Sequence, residues 1–305
     1  MKKTGRRIAK AVVFALLVAL IMALLSPVFT PKHLTGGVPE SMQGDLDYLV
    51  WGDSEGWTAI SPMQLWRDQG FSGYNCSAVG QRLQDDLYDL QDILTTRHPK
   101  VILMETNMLY GSHGVVGEAE KLVQSLTGRA LPFYRYHDQW KEMLTGSKTA
   151  TERDINRGYH YVTTVQPYVR GEYTQQTDAV ATIPQVQQVF LDQIVDLCKE
   201  QGIELILFSA PSPDCWTYAR HNGISAYAQA HDVTYIDCNL MLDELGIDWN
   251  TDALDGGDHL NLSGATKLTA WMGNYLAEKN LLLDHRNDAG YDTWNEDLQA
   301  YEAQG

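Results

Sequence analysis

The sequence predicts an α/β domain built on a mainly parallel, doubly wound five-stranded sheet, set behind one membrane-spanning helix. Three observations predict it. Short apolar runs of strand length recur at 45–51, 71–75, 100–104, 203–209 and 233–237, and helix-length amphipathic segments flank the first, third and fourth. Chemistry-bearing residues gather just past the carboxyl ends of these runs or ahead of a helix. Repeated βα units place strands side by side in parallel with helices on both faces. In such sheets ligands and chemistry collect at the carboxyl edge.

The elements follow in order. Lys2, Lys3, Arg6, Arg7 and Lys10 precede an uncharged, mainly apolar run from Ala11 to Phe29. As a helix, that run spans ~28 Å, close to the thickness of a hydrocarbon core. It exceeds the usual 7–15-residue apolar core of a cleaved signal, and no clear Ala-x-Ala site follows it. The expectation is therefore an anchor, with 1–10 a basic cytoplasmic segment, 11–29 the transmembrane span, 30–42 a Pro- and Gly-bearing linker, and 43–305 an extracytoplasmic domain. Basic flanks stay on the cytoplasmic side, which sets that orientation.

Within the domain, Asp45-Leu-Asp-Tyr-Leu-Val-Trp51 reads as a strand running into Gly52-Asp53-Ser54. Ser61-Pro62 is a helix start, with serine capping and proline in the first turn. Leu83, Leu87, Leu90 and Ile93 recur at helical spacing in 80–95, as do Val186, Val189, Leu191, Ile194 and Leu197 in 185–200. Between the third and fourth strands the chain detours over 105–202, longer than one crossover helix needs, with an insertion around 108–184. That stretch contains Tyr134-Arg-Tyr136-His137-Asp-Gln-Trp140 and Arg157-Gly-Tyr-His-Tyr161. Tyr136, His137 and Trp140 are candidates for a substrate wall; packing of the same aromatics into a small accessory core is the other reading.

Composition narrows the partners. Net charge is −16, and the first ten residues hold five of the 23 basic residues and none of the 39 acidic ones, so the remainder is more acidic still. Such an exterior argues against nucleic acid and against docking on anionic lipid. Cys76, Cys198, Cys215 and Cys238 form no Cys-x-x-Cys pair, and the nine histidines show no metal-ligand spacing. Cys198 and Cys238 fall in apolar registers, and buried free thiols are the expectation. No phosphate loop or nicotinamide fingerprint is present, so no cofactor is implied.

The candidate chemistry is nucleophilic. Ser54 lies at the end of the first strand, and Asp255-Gly-Gly-Asp258-His259 offers a base with two acidic partners shortly before a helix. A serine hydroxyl becomes nucleophilic when an imidazole takes its proton and a carboxylate fixes the imidazole tautomer. Between these lie Asn75-Cys-Ser-Ala-Val-Gly80 after the second strand and Glu105-Thr-Asn107 after the third. Four such blocks in this order resemble the SGNH/GDSL hydrolase superfamily. The resemblance implies a flavodoxin-like strand order, Ser54 as nucleophile and His259 as general base. It also implies an oxyanion hole made by the Ser54 and Gly80 backbone N–H groups and the Asn107 side chain. The third block departs from the usual Gly-x-Asn-Asp, and position 256, where the family places its aspartate, is glycine. Asp255 is the favoured acid, and Asp258, directly before the histidine, is the other.

Ser209-Ala-Pro-Ser-Pro-Asp-Cys-Trp216, Gly246-Ile-Asp-Trp249 and the tail 284–294 are similar to a group of membrane-anchored bacterial SGNH proteins. That implies O-acyl transfer or ester hydrolysis on an envelope glycan, beside a membrane-bound O-acyltransferase partner. A non-catalytic envelope protein that binds glycan or such a partner is the alternative. Asn75-Cys-Ser77 and Asn261-Leu-Ser263 fit the glycosylation sequon, but both lie inside the blocks just described.

Overall fold

The computed structural model describes residues 2–29, 34–35, 37–39, 42, 45–111, 123, 127 and 154–304. The chain divides into two compact units, Met1–Leu34 with His113–Arg153, and Thr35–Ser112 with Asp154–Gly305. In the first, α1 (Lys2–Phe29) is one continuous helix whose stretch Gly5–Ser26 has a mean hydropathy of 2.8. It is long and apolar enough to cross a membrane by length and composition. Ser26 donates its hydroxyl to the Met22 carbonyl at 2.8 Å, which satisfies that polar group within the helix.

The second unit holds a five-stranded, wholly parallel sheet: β1 (Tyr48–Trp51), β2 (Gly73–Asn75), β3 (Val101–Glu105), β4 (Glu204–Ser209) and β5 (Thr234–Asp237). Their spatial order is β2-β1-β3-β4-β5, the flavodoxin-like doubly wound order. The register runs Tyr48 against Gly73 and Val101, Val101 against Glu204, and Ile206 against Thr234. β1, β2 and β3 are buried along their whole length, as strands covered on both faces must be.

Helices α2 (Ser54–Ala59), α3 (Pro62–Gln69), α4 (Leu83–Ile93), α5 (Gln185–Gln201), α6 (Tyr218–His231), α7 (Leu262–Lys279) and α8 (Asp292–Glu302) lie in the same unit, with a single helical turn at Leu242–Leu245. Alternation along the strands divides their side chains between two faces. Tyr48, Val50, Val101, Leu103, Ile206 and Phe208 join one core with Ile60, Leu65, Leu268, Met272 and Leu276, which places α3 and α7 on that face. Leu49, Trp51, Ile102, Met104, Leu205 and Leu207 are also buried and alternate with that set. They therefore point to the opposite face, where α4 packs on α5 and α5 on β4.

Local signals explain the boundaries. Ser61 caps α3 by accepting from Gln64 N at 3.4 Å, with Pro62 in the first turn, and Gly70 closes the helix at φ +75°. Gly73 is required by packing: a Cβ there would lie 2.1 Å from the Tyr48 ring. Cys198 and Cys238 are buried free thiols, and Cys76 and Cys215 are half-buried. Of the aromatic stretch 157–161, Arg157 pairs with Asp297 at 2.5 Å and lies over the Trp294 ring, and Tyr159 is buried. These side chains belong to the packing of the domain against α8.

Candidate active site

The carboxyl ends of the strands converge on one polar cluster. β1 ends at Trp51, and Gly52 allows the turn into α2 to lie directly on the end of β3. A Cβ at Gly52 would stand 2.6 Å from Glu105 Cβ and 3.1 Å from Gly56 Cα. Asp53 caps α2 by accepting from Glu55 N at 3.3 Å, so Ser54 is the helix's first residue and is half-buried. The backbone N–H groups of the first helical turn have no intrahelical acceptor. The Ser54 hydroxyl donates to Glu55 Oε2 at 3.2 Å.

His259 is presented by a tight loop that folds back on itself. Leu254 N bonds to His259 O at 2.9 Å and Asn261 N to Asp252 O at 3.0 Å, while Gly256 and Gly257 turn the tip at φ +86° and +120°. Asp255 fills the inside of this turn. Its Oδ1 accepts from His259 N at 2.9 Å and Asp258 N at 3.2 Å, and its Oδ2 lies 2.6 Å from His259 Nδ1. Asp258 Oδ2 is farther from the same nitrogen, 3.5 Å. His259 Nε2 is buried and has no hydrogen-bond partner among the described residues. An extended strap over 159–183 holds the loop from outside: Gly256 N bonds to Gln166 O at 2.9 Å, and the Arg170 guanidinium reaches Gly256 O at 2.9 Å. Asn261 caps α7 through Gly264 N at 3.2 Å and donates to Thr251 O at 2.7 Å, which uses the sequon side chain structurally.

Asn107 begins the 3₁₀ turn after β3, and its amide is fully engaged. Nδ2 donates to Asp53 Oδ2 and to Glu55 Oε1, both at 2.9 Å, and Oδ1 accepts from Arg220 at 3.1 Å. Behind it, Glu105 accepts from Asn107 N at 2.7 Å and Ala210 N at 3.3 Å. Three acidic side chains thus meet in a poorly hydrated place, and they do not all ionise. Burial, then the bond to Glu55, pushes Asp53 up to about 10, so Asp53 keeps its proton and donates it to Glu55. Burial and the Glu55 charge push Glu105 up to about 8. Burial alone would raise Glu55, but the hydrogen bond from Asp53 and the nearness of the Cys215 thiol and of His259 outweigh it and hold Glu55 below its usual range.

Glu55 also ties the serine to the histidine loop. Cys215 Sγ donates to Asp258 Oδ1 at 2.9 Å, and polar side-chain atoms of Glu55, Cys215 and Asp258 lie within 4.8 Å of one another, as do those of Asp255, Asp258 and His259. Burial holds the Cys215 thiol well above its ordinary range, so it keeps the proton it donates. A cleft of about 280 Å³, part of it open to solvent, is lined by Glu55, Asn107, Tyr110, Cys215, Trp216 and Arg220.

Ser54, Asn107, Asp255, Asp258 and His259 thus all lie at this edge. Gly80 sits at φ +68° in an exposed turn whose neighbour Ala78 N bonds to Gly52 O at 3.3 Å, beside the end of β1. Tyr136, His137 and Trp140 lie outside the described residues. Glu55, Glu105, Cys215 and Arg220 were not singled out from the sequence as site residues. Glu105 opens the Glu105-Thr-Asn107 block and Glu55 directly follows Ser54, but a charge beside a motif reads as solvated until the fold buries it. Cys215 and Arg220 meet the others only through long-range contacts.

No family model and no curated protein sequence matches the chain. Among solved structures it is similar to a protein from Desulfitobacterium hafniense DCB-2 described as lipolytic and of the G-D-S-L family, at 13% identity and a TM-score of 0.40. That match covers 75% of this chain and 98% of the other. It is also similar to the protein TesA, at 14% identity, TM-score 0.38, covering 77% of this chain and 99% of the other. A GDSL-like lipase from Bacteroides thetaiotaomicron VPI-5482 matches at 13% identity, TM-score 0.36, covering 76% and 87%. At such scores these likenesses decide neither fold nor activity, and the doubly wound fold stands on the strand order and register given above.

Proposed function

We propose that the protein is a serine-dependent acyl-transfer enzyme, an esterase or O-acyltransferase that works on acylated glycans of the cell envelope. The observation that carries this reading is His259: Asp255 occupies Nδ1 at 2.6 Å, while Nε2 is buried with no partner among the described residues, at the sheet edge where Ser54 opens α2. An imidazole so held presents a basic nitrogen with its tautomer fixed. In the proposed reaction Ser54 Oγ attacks an ester carbonyl carbon and its proton passes to His259 Nε2. The Ser54 N–H, the Gly80 N–H and Asn107 Nδ2 are the proposed donors to the tetrahedral oxyanion, each typically worth ~3 kcal/mol of barrier. The bond to the leaving alcohol breaks as that oxygen takes the proton from His259, leaving acyl-Ser54. Water then removes the acyl group in the hydrolase case, or a sugar hydroxyl in the transferase case, with His259 again accepting the attacking proton. Asp258 is proposed to support the loop, and Tyr136, His137 and Trp140 to contact the glycan.

Helix α1 is proposed to anchor this domain on the outer face of the membrane, with the basic N-terminus inside, beside a membrane-bound O-acyltransferase partner. Its length and hydropathy and the five basic residues before Ala11 support that orientation. The test is turnover of p-nitrophenyl acetate by the full chain in detergent, with and without envelope oligosaccharides. Release of nitrophenolate that oligosaccharide accelerates, with acetylated sugar as product, supports the transferase; release to acetate alone supports the esterase. A second reading, a non-catalytic glycan-binding protein, draws on one observation, the saturated amide of Asn107. Absence of turnover together with saturable oligosaccharide binding is the result that would favour it.

A further inference from the structure

We infer that Glu55 is a latch on the acyl site, an internal carboxylate that occupies the place of the reaction's oxyanion until an ester displaces it. The inference rests on Ser54 acting as the nucleophile. Acid in the first turn of a helix is commonplace, because it offsets the positive helix terminus, and such a side chain ordinarily extends into solvent. Glu55 does not extend into solvent. It is 4% exposed, and no lysine or arginine among the described residues pairs with it. A buried carboxylate without a cation is costly unless hydrogen bonds replace its water. Its replacements are neutral donors: the Ser54 hydroxyl at 3.2 Å, Asn107 Nδ2 at 2.9 Å and the protonated Asp53.

Two of those donors are what the proposed reaction needs elsewhere. The Ser54 proton must go to His259 Nε2, yet the hydroxyl points to Glu55, and Nε2 has no partner among the described residues. The Asn107 amide must donate to the oxyanion, yet its second N–H is spent on Glu55. A tetrahedral oxyanion and a carboxylate are each one negative charge seeking the same donors. Glu55 in place therefore excludes the oxyanion, by occupancy and by like charge. Its withdrawal leaves Asn107 still oriented, since Asp53 Oδ2 at 2.9 Å and Arg220 at 3.1 Å hold the amide independently. Glu55 is thus a positioning residue that sets when Ser54 becomes competent.

The experiment compares wild type, Glu55→Ala and Glu55→Gln as full chains in detergent micelles. Each is mixed rapidly with p-nitrophenyl acetate, and the burst of nitrophenolate and the acetyl mass on the protein are followed. Releasing one hydrogen bond to a charged group is worth about ten-fold, so Glu55→Ala should acylate at least about ten-fold faster. The gain should be confined to the acylation rate, at unchanged circular dichroism, and should vanish when Ser54→Ala is added. Glu55→Gln, with the length but not the charge, should fall between. A Glu55→Ala rate equal to or below that of wild type, while wild type still forms the Ser54 adduct, overturns the latch and leaves the nucleophile standing. Absence of an adduct and of fluorophosphonate labelling in every variant overturns the nucleophile, and the latch with it. Should Glu55→Ala lose its circular dichroism, Glu55→Gln decides: a gain supports the latch, and no gain overturns it.

Discussion

Asp255→Asn tests the orientation of the imidazole at a single atom. In the folded loop Asp255 Oδ1 accepts two backbone N–H bonds, from His259 at 2.9 Å and Asp258 at 3.2 Å, while Oδ2 takes Nδ1 at 2.6 Å. Asparagine is nearly the same shape but has one acceptor and one donor end. Keeping the two backbone bonds turns its NH₂ towards Nδ1, which then has to accept, so the imidazole proton moves to Nε2. That tautomer cannot take the Ser54 proton. In serine enzymes generally, this exchange of carboxylate for amide costs ~10⁴ in kcat, and ~10³–10⁴ is expected here, or about 4–5.5 kcal/mol of barrier. Asp258→Asn should cost less than about ten-fold, since Asp258 Oδ2 is 3.5 Å from Nδ1 and its other oxygen serves Cys215. The assay is p-nitrophenyl acetate hydrolysis by both variants, with urea unfolding to show that the loop survives. A larger loss in Asp258→Asn, or an Asp255→Asn within ten-fold of wild type, would refute the reasoning.

Three further outcomes follow from the packing. Gly52→Ala forces a Cβ to within 2.6 Å of Glu105 Cβ, and should cost ~1–3 kcal/mol in urea unfolding, as overpacked core sites do, together with loss of activity. Asp297→Ala removes the carboxylate 2.5 Å from the buried Arg157 guanidinium, which lies over the Trp294 ring; because removing one partner of a buried ion pair is expensive, ~3–5 kcal/mol of stability should go, more than in the double variant Arg157→Met with Asp297→Leu. Glu105, pushed up to about 8 by burial and the Glu55 charge, keeps its proton in the native state where the unfolded chain, with the ordinary value of 4.5, releases it. The native state then binds more protons between those values, so this group's contribution to stability is full below 4.5 and is lost as pH rises through 8. Thermal melts from pH 5 to 8.5 should show a steeper fall for wild type than for Glu105→Gln, and parallel curves would contradict the assignment.

The fold was legible because a parallel sheet buried on both faces leaves continuous apolar runs, and 100–104 and 203–209 are matched within a residue by β3 and β4. The run 45–51 reads longer than β1, since Asp45 to Asp47 lead into the strand: Asp47 N and O bond to Ser72 O and Lys100 N at 2.7 Å, and its buried side chain faces Lys100 and His285. An acid near His259 was legible at positions 255 and 258, and in the structure two glycines at positive φ fold Asp255 back onto the imidazole. The carboxylate network was not. Whether Glu55 faces water or Asn107 depends on Glu105, Cys215 and Arg220 arriving from three other segments, which no periodicity reports.

The central claim is that Ser54 carries the acyl group after His259 takes its proton. The direct measurement is peptide mass of the full chain, acid-quenched after brief exposure to p-nitrophenyl acetate, in wild type, Ser54→Ala and His259→Ala. The account predicts an acetyl group on the peptide containing Ser54 in wild type, none there in Ser54→Ala, and at most a trace in His259→Ala. An adduct on another residue, or one that forms at Ser54 as fast without His259, would contradict it.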